Sequence, residues 1–354
     1  MEEAVTTSSE PVGLAQPRRQ VQTQALWKRI LKRPEAGALG GATLVFILFW
    51  VNAPPFRQFA AFATVLYQAA TIGIPAVAVA LLMIGGEFDL SAGVAVTTSS
   101  LAASMFATHL AGSLWAGVVF ALFFSLGIGG LNGLLLIRTR LHSFLVTLGT
   151  FLMLQGLNIA ITKLITGNVA TGDISGMAGF KTLQTIFAAN TMIVRAQISI
   201  AIVYWLIFVA LATWVLLRTR IGNWIFAVGG QGESARAVGV PVNRVKIGLF
   251  MLVGFSCWFL AMHLLFAYDT VQSGAGIGNE LLYIAASVVG GCLLTGGYGS
   301  AVGSALGAFI FGMTTEGVIY ADWDPDWFQF FVGAMLVLAT VVNTWIRMRA
   351  MQAT

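Results

Sequence analysis

Ten apolar runs divide the sequence and constrain its fold more than any other feature. They lie near 38–53, 62–84, 91–110, 113–137, 143–165, 197–217, 247–268, 281–296, 301–320 and 327–346. Inside a bilayer every backbone polar group needs an internal partner, and runs of this length supply one as helices. Since 58% of the residues are apolar and only 9% are charged, we expect an all-α, polytopic bundle of about ten transmembrane helices. Several runs are shorter than the ~20 residues of a straight span, so some helices are expected to be broken.

The distribution of positive charge predicts the side on which each connection lies, because Lys and Arg favour the cytoplasmic side. With a cytoplasmic N terminus, ten spans leave only four basic residues outside: Arg57, Lys163, Lys181 and Arg195. We therefore expect cytoplasmic tails over residues 1–37 and 347–354 on either side of a transmembrane domain over 38–346. The net charge of +5 belongs mostly to membrane-flanking residues, so nucleic acid is not an expected partner.

The longest basic connection, 218–246, separates the sixth and seventh runs. Five basic residues lie in it: Arg218, Arg220, Arg236, Arg244 and Lys246. Three glycines predict a flexible break: Gly229, Gly230 and Gly232. The next residues, 233–238, predict a short helix that Gly239 ends, with Pro241 beyond it. A long basic connection with its own helix is expected to meet a partner in the cytosol.

Three segments carry a resemblance to a known family. They are A-V-G-G-x-x-x-x-A-R-x-x-G-V-x-V-x-R-V-K at 227–246, Asp89-Leu-Ser between Gly86 and Gly93, and V-V-G-G-x-x-L-T-G-G-Y-G-S-x-x-G at 288–303. Together they resemble the permease subunits of ribose-type (monosaccharide) ABC importers, over nearly all of residues 60–349. The resemblance implies a multi-pass protein of the bacterial inner membrane with no enzymatic activity, catalytic residue, metal or cofactor. It also implies three protein partners: an ABC ATPase, an extracytoplasmic sugar-binding protein and a second permease copy.

In that family the short cytoplasmic helix fits a cleft on the ATPase and transmits its closure to the membrane helices. The resemblance gives this coupling role to Gly229, Gly230, Glu233, Ala235, Arg236, Gly239 and Val240. The dipeptide Gly-Lys is absent from the sequence, so the chain has no phosphate-binding loop of its own. Energy must therefore come from another subunit or from a gradient.

Polar residues within or beside the apolar runs are candidates for the translocation path: Asp89, Ser91, Asn132, Gln155 and Asn158. Asp89 suits a helix N-cap as well as a solute contact, and amides in a membrane helix bond either to each other or to a polar solute. Glu87 stands where many members of the family have glycine, and we expect it to be solvated at the cytoplasmic face. A buried Glu316 must face protein, water or a partner.

Two connections on the predicted outer side, 166–196 and 320–327, are candidates for docking a binding protein. The second contains Asp322, Asp324 and Asp326 and no basic residue. Two alternatives remain open: an ABC permease for nucleosides or branched-chain amino acids, and a gradient-driven carrier that uses Glu316 or Asp89.

The segments Gly85-Gly86 to Gly93 and Gly296-Gly297 to Gly303 look similar. This similarity indicates either an internal repeat, as in many transporters, or chance in a glycine-rich chain.

Overall fold

A computed structural model describes residues 35–193 and 196–352, with side chains as far as Val341. Within these ranges the chain forms α1 (Glu35–Asn52), α2 (Phe59–Ile84), α3 (Ala92–Met105), α4 (Leu114–Thr139), α5 (Ser143–Thr166), α6 (Phe180–Phe187), α7 (Ile200–Arg218), α8 (Arg220–Ala237), α9 (Val242–Tyr268), α10 (Asn279–Val289), α11 (Ala301–Tyr320) and α12 (Trp327–Gln352). A π-helical turn, Phe106–Ala111, extends α3. Strands β1 (Asn190–Ile193) and β2 (Ala196–Ser199) pair antiparallel. Most of the predicted N-terminal tail, residues 1–34, lies outside the described residues.

The expected all-α, polytopic bundle is confirmed. In the described part of the chain, eight helices are long and apolar enough to cross a membrane: α1, α2, α3 with its π turn, α4, α5, α7, α9 and α11. Two shorter apolar helices, α10 and the first part of α12, occupy the remaining two runs. The 11 residues of α10 extend only about 16 Å, roughly half the hydrocarbon thickness of a bilayer.

Helices α2 and α9 form the centre of the bundle. Their most apolar windows are 78% and 72% buried, whereas those of α1, α5 and α7 are 22–28% buried and so leave most of their surface for lipid. Glycines let neighbouring backbones approach closely, as membrane bundles require. A Cβ at Gly307 would overlap the carbonyl of Ala286, and one at Gly254 would overlap that of Ser125.

Helices α3 and α10 begin against each other near the middle of the bundle. The thiol of Cys257, halfway along α9, lies 3.3 Å from the carbonyl oxygen of Ala92, which places the start of α3 at mid-depth. A Cβ at Gly93 would collide with Glu280 and with the carbonyl of Gly276. The first turns of both helices therefore meet, because Gly93 lacks a side chain.

The ends of α2 and α10 have the same geometry. Gly85 and Gly290 continue the helical backbone, and the next residues, Gly86 and Gly291, take positive φ angles of 85° and 94°. The amide after each pair bonds five residues back, from Glu87 to Leu82 and from Cys292 to Ser287. Gly86 therefore corresponds in geometry to Gly291, and not to the Gly296-Gly297 pair that the sequence comparison suggested.

Five glycines from three separate segments meet where α2 ends; we call this cluster the glycine junction. Its members are Gly86, Gly229, Gly230, Gly296 and Gly297. The amide of Gly297 donates to the carbonyl oxygen of Ile84 at 2.8 Å. A Cβ at Gly229 would overlap that same carbonyl, and one at Gly296 would lie 2.7 Å from the Cα of Gly86. The contact is thus made of backbone alone.

The basic connection 218–246 is more helical than its composition indicated. Only Thr219 separates α7 from α8, and its hydroxyl accepts the amide hydrogen of Gly222. Ile225 and Val228, three residues apart, are buried and attach the first part of α8 to the bundle. The predicted break occurs at Gln231, whose φ of −158° and ψ of 92° interrupt the helix. The remainder, 232–237, is the short helix expected there, and Gly239 (φ 86°) follows it.

The opposite end of the bundle carries α6, the β1–β2 hairpin and the turn between α11 and α12. The segments 168–174 and 269–273 are joined by backbone hydrogen bonds, including Thr171 N to Val271 O at 2.9 Å. We refer to this end as the hairpin face and to the other as the α8 face. The assignment of the α8 face to the cytoplasm remains a prediction from charge.

Two adjacent glycines in α8 provide a test of the glycine junction. We expect Gly229→Ala to lower the free energy of unfolding by about 1–3 kcal/mol, because its Cβ has no space beside Ile84. Gly230→Ala meets nothing within 4 Å, and its higher helix propensity should leave stability unchanged or raised by up to about 1 kcal/mol. Thermal unfolding of both purified variants in detergent measures the difference, and equal midpoints would contradict the packing described here.

Candidate coupling site and translocation path

A buried polar network holds the segment between α2 and α3. Asp89, 3% exposed, accepts hydrogen bonds from the backbone amide of Ser91 at 2.8 Å and from its hydroxyl at 2.6 Å. Asn132 donates to the Ser91 hydroxyl at 3.0 Å and accepts from Thr150 at 2.7 Å. Three predicted path residues, Asp89, Ser91 and Asn132, are therefore joined, and their described contacts are with protein.

The first turns of α5 support the same segment from the side. The hydroxyl of Ser143 accepts the amide hydrogen of Phe88 at 3.0 Å, and that of Thr147 accepts the amide hydrogen of Leu90 at 3.1 Å. The amides of Phe88 and Leu90 have no partner within a helix, and these two hydroxyls provide one. The non-helical stretch 87–91 can therefore run within the bundle without an uncompensated polar group.

Glu87 is buried and paired, contrary to the expectation that it would be solvated. It is 7% exposed and forms an ion pair with Lys246 of α9, the one ion pair found among the described side chains. The pairing was not apparent from sequence because 159 residues separate the two groups. It joins the end of α2 to the second turn of α9.

Helix α5 carries buried polar side chains that have no protein partner among the described residues. Asn158 and Thr162 are buried, yet the Asn158 amide nitrogen and the Thr162 hydroxyl have no hydrogen bond among the described residues. Ser104 of α3, which packs against α5, has an equally unpartnered hydroxyl. Gln155 is half-buried. Buried polar groups of this kind cost free energy unless water or a solute bonds to them.

The predicted coupling residues divide into two groups. Gly229 and Ala235 are packed against protein, and Val240 is half-buried. Gly230 is exposed, and so are Glu233, Arg236 and Gly239 at the end of α8. Val238, which the sequence analysis did not select, is 80% exposed. We call residues 232–239 the α8 tip. The sequence signal that could have identified Val238 was an apolar residue between a basic residue, Arg236, and the glycine that ends the short helix, Gly239.

A cavity of about 820 Å³ opens on the α8 face beside the tip. We call it the basic cavity; it is lined by Gly86, Glu87, Phe88, Leu136, Ile137, Arg140, Leu141, His142, Ser143, Phe144, Glu233, Arg236, Val242, Asn243 and Lys246. The cavity joins the α8 tip, the turn between α4 and α5, the first turn of α9 and the end of α2. It therefore lies between the candidate coupling residues and the Asp89 segment.

Glu316 has neutral partners. It is 6% exposed, and the side chains of Gln68 and Tyr320 are its polar neighbours. Among the described side chains it forms no ion pair. The carboxyl group therefore lies beside a neutral amide and a neutral phenol.

The acidic turn on the hairpin face is exposed as a unit. Asp322, Asp324 and Asp326 are all exposed, and Asp324 accepts the amide hydrogen of Asp326 at 3.0 Å. Trp323, Asp324, Trp327 and Phe331 line a cavity of about 420 Å³ next to them. Carboxylates beside an aromatic pocket form a surface that suits protein contact.

Two further carboxyl groups, those of Asp173 and Asp269, lie in the loops of the hairpin face. Hydrogen bonds from the backbone and side chain of Ser175 lower the pKa of Asp173. Partial burial, and to a smaller extent the charge of Asp173, raise the pKa of Asp269. The two groups therefore differ in acidity although they lie close together.

Comparison with known proteins identifies the family to which this membrane bundle belongs. A family described as branched-chain amino acid transport system / permease component matches residues 61–340. The chain belongs to this permease family. The match covers the Asp89 segment, the α8 tip and the basic cavity together, and it makes the chain a multi-pass membrane permease subunit.

Individual relatives match over most of their length. The fructose import permease FrcC of Rhizobium meliloti is 30% identical over 283 residues, 80% of this chain and 77% of the relative. The ribose import permease RbsC of Escherichia coli K12 is 29% identical, covering 78% and 83%. The galactose/methyl galactoside import permease MglC of Haemophilus influenzae is 30% identical, covering 82% and 88%. No solved structure matches the chain.

Two amides predicted to line the path have different roles in the structure, and this difference can be measured. Asn132→Leu removes two buried hydrogen bonds, to Ser91 and from Thr150, although these hydroxyls still donate to Asp89 and to the carbonyl of Val146. We therefore expect a loss of about 1–3 kcal/mol in the free energy of unfolding. Gln155→Leu removes an amide that has no hydrogen bond among the described residues, so we expect a change within about 0.5 kcal/mol. Thermal unfolding in detergent compares them. Equal losses would mean that the Asp89 network does not stabilise the bundle.

Proposed function

We propose that this chain is the membrane-spanning permease of an ABC importer for monosaccharides, driven by an ATPase subunit that binds the α8 tip. The relatives named above are import permeases for fructose, ribose and galactose. The observation that carries the mechanism is the glycine junction, through which α8 touches both the end of α2 and the 290–300 segment. ATP-driven movement at the tip then has a direct mechanical route into the bundle.

The proposed sequence of movements follows the contacts. Closure of the ATPases displaces the α8 tip, which the break at Gln231 separates from the rest of α8. Gly229 transmits the displacement to Ile84 and Gly297 through backbone contacts. These two residues precede the non-helical stretches that lead to α3 and α11. Movement of the two stretches would change access to the region where α3 and α10 begin.

The N-terminal starts of α3 and α10 favour a neutral cargo over an amino acid. Transporters that bind a carboxylate direct the free N terminus of a half-helix at it. Here Asp89 bonds to the backbone amide of Ser91, the N-cap of α3, and Glu280 bonds to that of Gly278, the N-cap of α10. Both helix starts already have a carboxylate of their own, so a substrate carboxylate would meet negative charge. A sugar, which is uncharged, would not.

The unpartnered groups of α5 are the proposed sugar contacts within the path. Asn158 and Thr162, with Ser104 of α3, offer an amide and two hydroxyls that could bond to sugar hydroxyls in turn. Gln155 lies on the same helix. We therefore expect Gln155→Leu to lower uptake although it leaves stability unchanged. Asp89, Ser91 and Asn132 would act on the path indirectly, by positioning the start of α3.

A second copy of the chain is proposed to complete the path. Non-helical backbone at membrane depth must be covered by protein or line a water-filled cavity. Gly274, Ala275 and Ile277, just before α10, are exposed, and Leu281 of α10 is 58% exposed. A symmetric partner would cover these residues on one side, and a central aqueous path would solvate them on the other.

The α8 tip provides the test of ATPase coupling. Val238→Asp places a charge on an exposed apolar residue without touching the bundle, so we expect loss of the co-purifying ATPase and of ATP-dependent uptake. Asn223→Asp is the matched control, because it adds the same charge at an exposed position in the first turns of α8. ATPase recovery and uptake are measured for both. An importer that works normally with Val238→Asp would refute the proposed docking.

The acidic turn provides the test of binding-protein docking. We propose the triple change Asp322→Asn, Asp324→Asn and Asp326→Asn, since Asn tolerates the positive φ of Asp322 and keeps the acceptor of Asp324. Uptake at limiting sugar should fall several-fold and lose part of its salt dependence, because charge on a rim mainly accelerates encounter. Asp269→Asn, at a half-buried position of the same face that lies outside both candidate docking connections and has a positive φ that Asn tolerates, is the control. Equal uptake by the triple variant and the control would remove this turn from the interface.

A further inference from the structure

The turn between α4 and α5 forms one wall of the basic cavity and has no role in the function proposed so far. Arg140, Leu141 and His142 of this turn line the same cavity as Glu233 and Arg236 of the α8 tip. All three are exposed, and Leu141 is an exposed apolar residue at 49%. Arg140 has a positive φ of 58° and ends α4, which fixes the direction in which the turn leaves the helix.

The charges of the cavity leave an excess of positive potential. Lys246 is paired with Glu87, and Arg236 bonds to Asn243 at 3.2 Å. The Arg140 guanidinium has no hydrogen bond or ion pair among the described residues. The cationic groups Arg140 and Arg236 thus face one remaining carboxylate, Glu233.

Two helix starts add to this potential. Helices α5 and α9 both begin at the cavity, at residues 142–144 and 242–243. Neither has a side-chain cap on its first amides. Free amides at a helix start carry partial positive charge and attract carboxylates. The cavity therefore offers a cationic side chain and two helix starts to an acidic group from outside the chain.

We propose that the α4–α5 turn is a second docking element for the ATPase subunit and that the basic cavity receives an acidic side chain of that subunit beside Arg140. This inference rests on the proposed function, because it concerns the partner of the α8 tip. The tip and the turn both line one cavity, so a subunit that binds both would be fixed in orientation as well as position. Its movement would also press on Phe88 and Gly86, which line the same cavity.

Two arginines two residues apart, Arg138 at the end of α4 and Arg140 in the turn, make a matched test. The ATPase recovered with the wild-type chain is first identified by its nucleotide-binding motif, then purified and titrated onto the full-length permease in detergent. We expect Arg140→Glu to weaken binding by at least about tenfold, because it places like charges together, and Arg140→Lys to restore most of it. Arg138→Glu, exposed in the last turn of α4 but outside the cavity lining, should change binding less than about twofold. The wild-type interaction should weaken as salt is raised.

The outcomes separate this inference from the proposed function. Normal binding by Arg140→Glu, together with loss of binding by Val238→Asp, would overturn the second docking element and leave ATPase coupling intact. Equal weakening by Arg138→Glu and Arg140→Glu would also overturn it, because a general surface charge would then explain the effect. Normal binding by both Val238→Asp and Arg140→Glu would overturn the proposed function itself.

A cross-linking measurement does not depend on charge reversal. Cys257 and Cys292, the free cysteines of the chain, are both buried, so a cysteine introduced in the turn would be the accessible one. Leu141→Cys should cross-link to the ATPase with a short bifunctional reagent. Thr139→Cys, exposed but outside the cavity lining, should do so less. No cross-link from Leu141→Cys, with ATPase still bound, would contradict direct contact.

Discussion

The structure depends on the close approach of backbones at the glycine junction. Three segments that are distant in sequence can touch there only because no side chain intervenes, and a hydrogen bond between Gly297 and Ile84 holds two of them together. Interfaces of interdigitated side chains are bistable and resist sliding. A contact of bare backbone lacks those interlocking groups, so it can transmit a displacement and still allow its parts to reorient. This combination suits a junction between a moving tip and a membrane bundle.

The polar network around Asp89 makes that junction useful. It fixes the start of α3 to α4 and α5 through Ser91, Asn132 and Thr150, so the end of the non-helical stretch 87–91 has a defined position. Its beginning is tied to α9 by the Glu87–Lys246 ion pair. The stretch is therefore anchored at both ends, to different helices. Movement of α9 relative to α4 and α5 would therefore change the conformation of the stretch 87–91 directly.

The sequence predicted the class of fold well and the local geometry only in part. Ten apolar runs were enough for an all-α membrane bundle, because hydropathy responds directly to the bilayer. The half-length of α10 was not predicted, since the apolar run 281–296 continues past the Gly290-Gly291 pair that ends the helix. The first part of α8 was missed because its polar composition hides the buried pair Ile225 and Val228. The burial of Glu87 depends on Lys246, a partner that no local sequence pattern identifies. Tertiary packing also decides which polar groups remain without a partner. The break before the α8 tip was predictable, because the glycines around it, and Gly239 and Pro241 after it, act on the backbone of their own segment.

The short length of α10 has a consequence for how the protein is made. A helix that begins halfway across the bilayer leaves the rest of its column to non-helical chain, and part of the chain just before α10 is exposed. Lipid cannot hydrogen-bond to such backbone. A newly inserted copy without the proposed second copy would therefore draw water or distort the bilayer at this place. Assembly would then remove a defect as well as create a path, and membrane proteases could recognise an orphan copy by that same exposed segment.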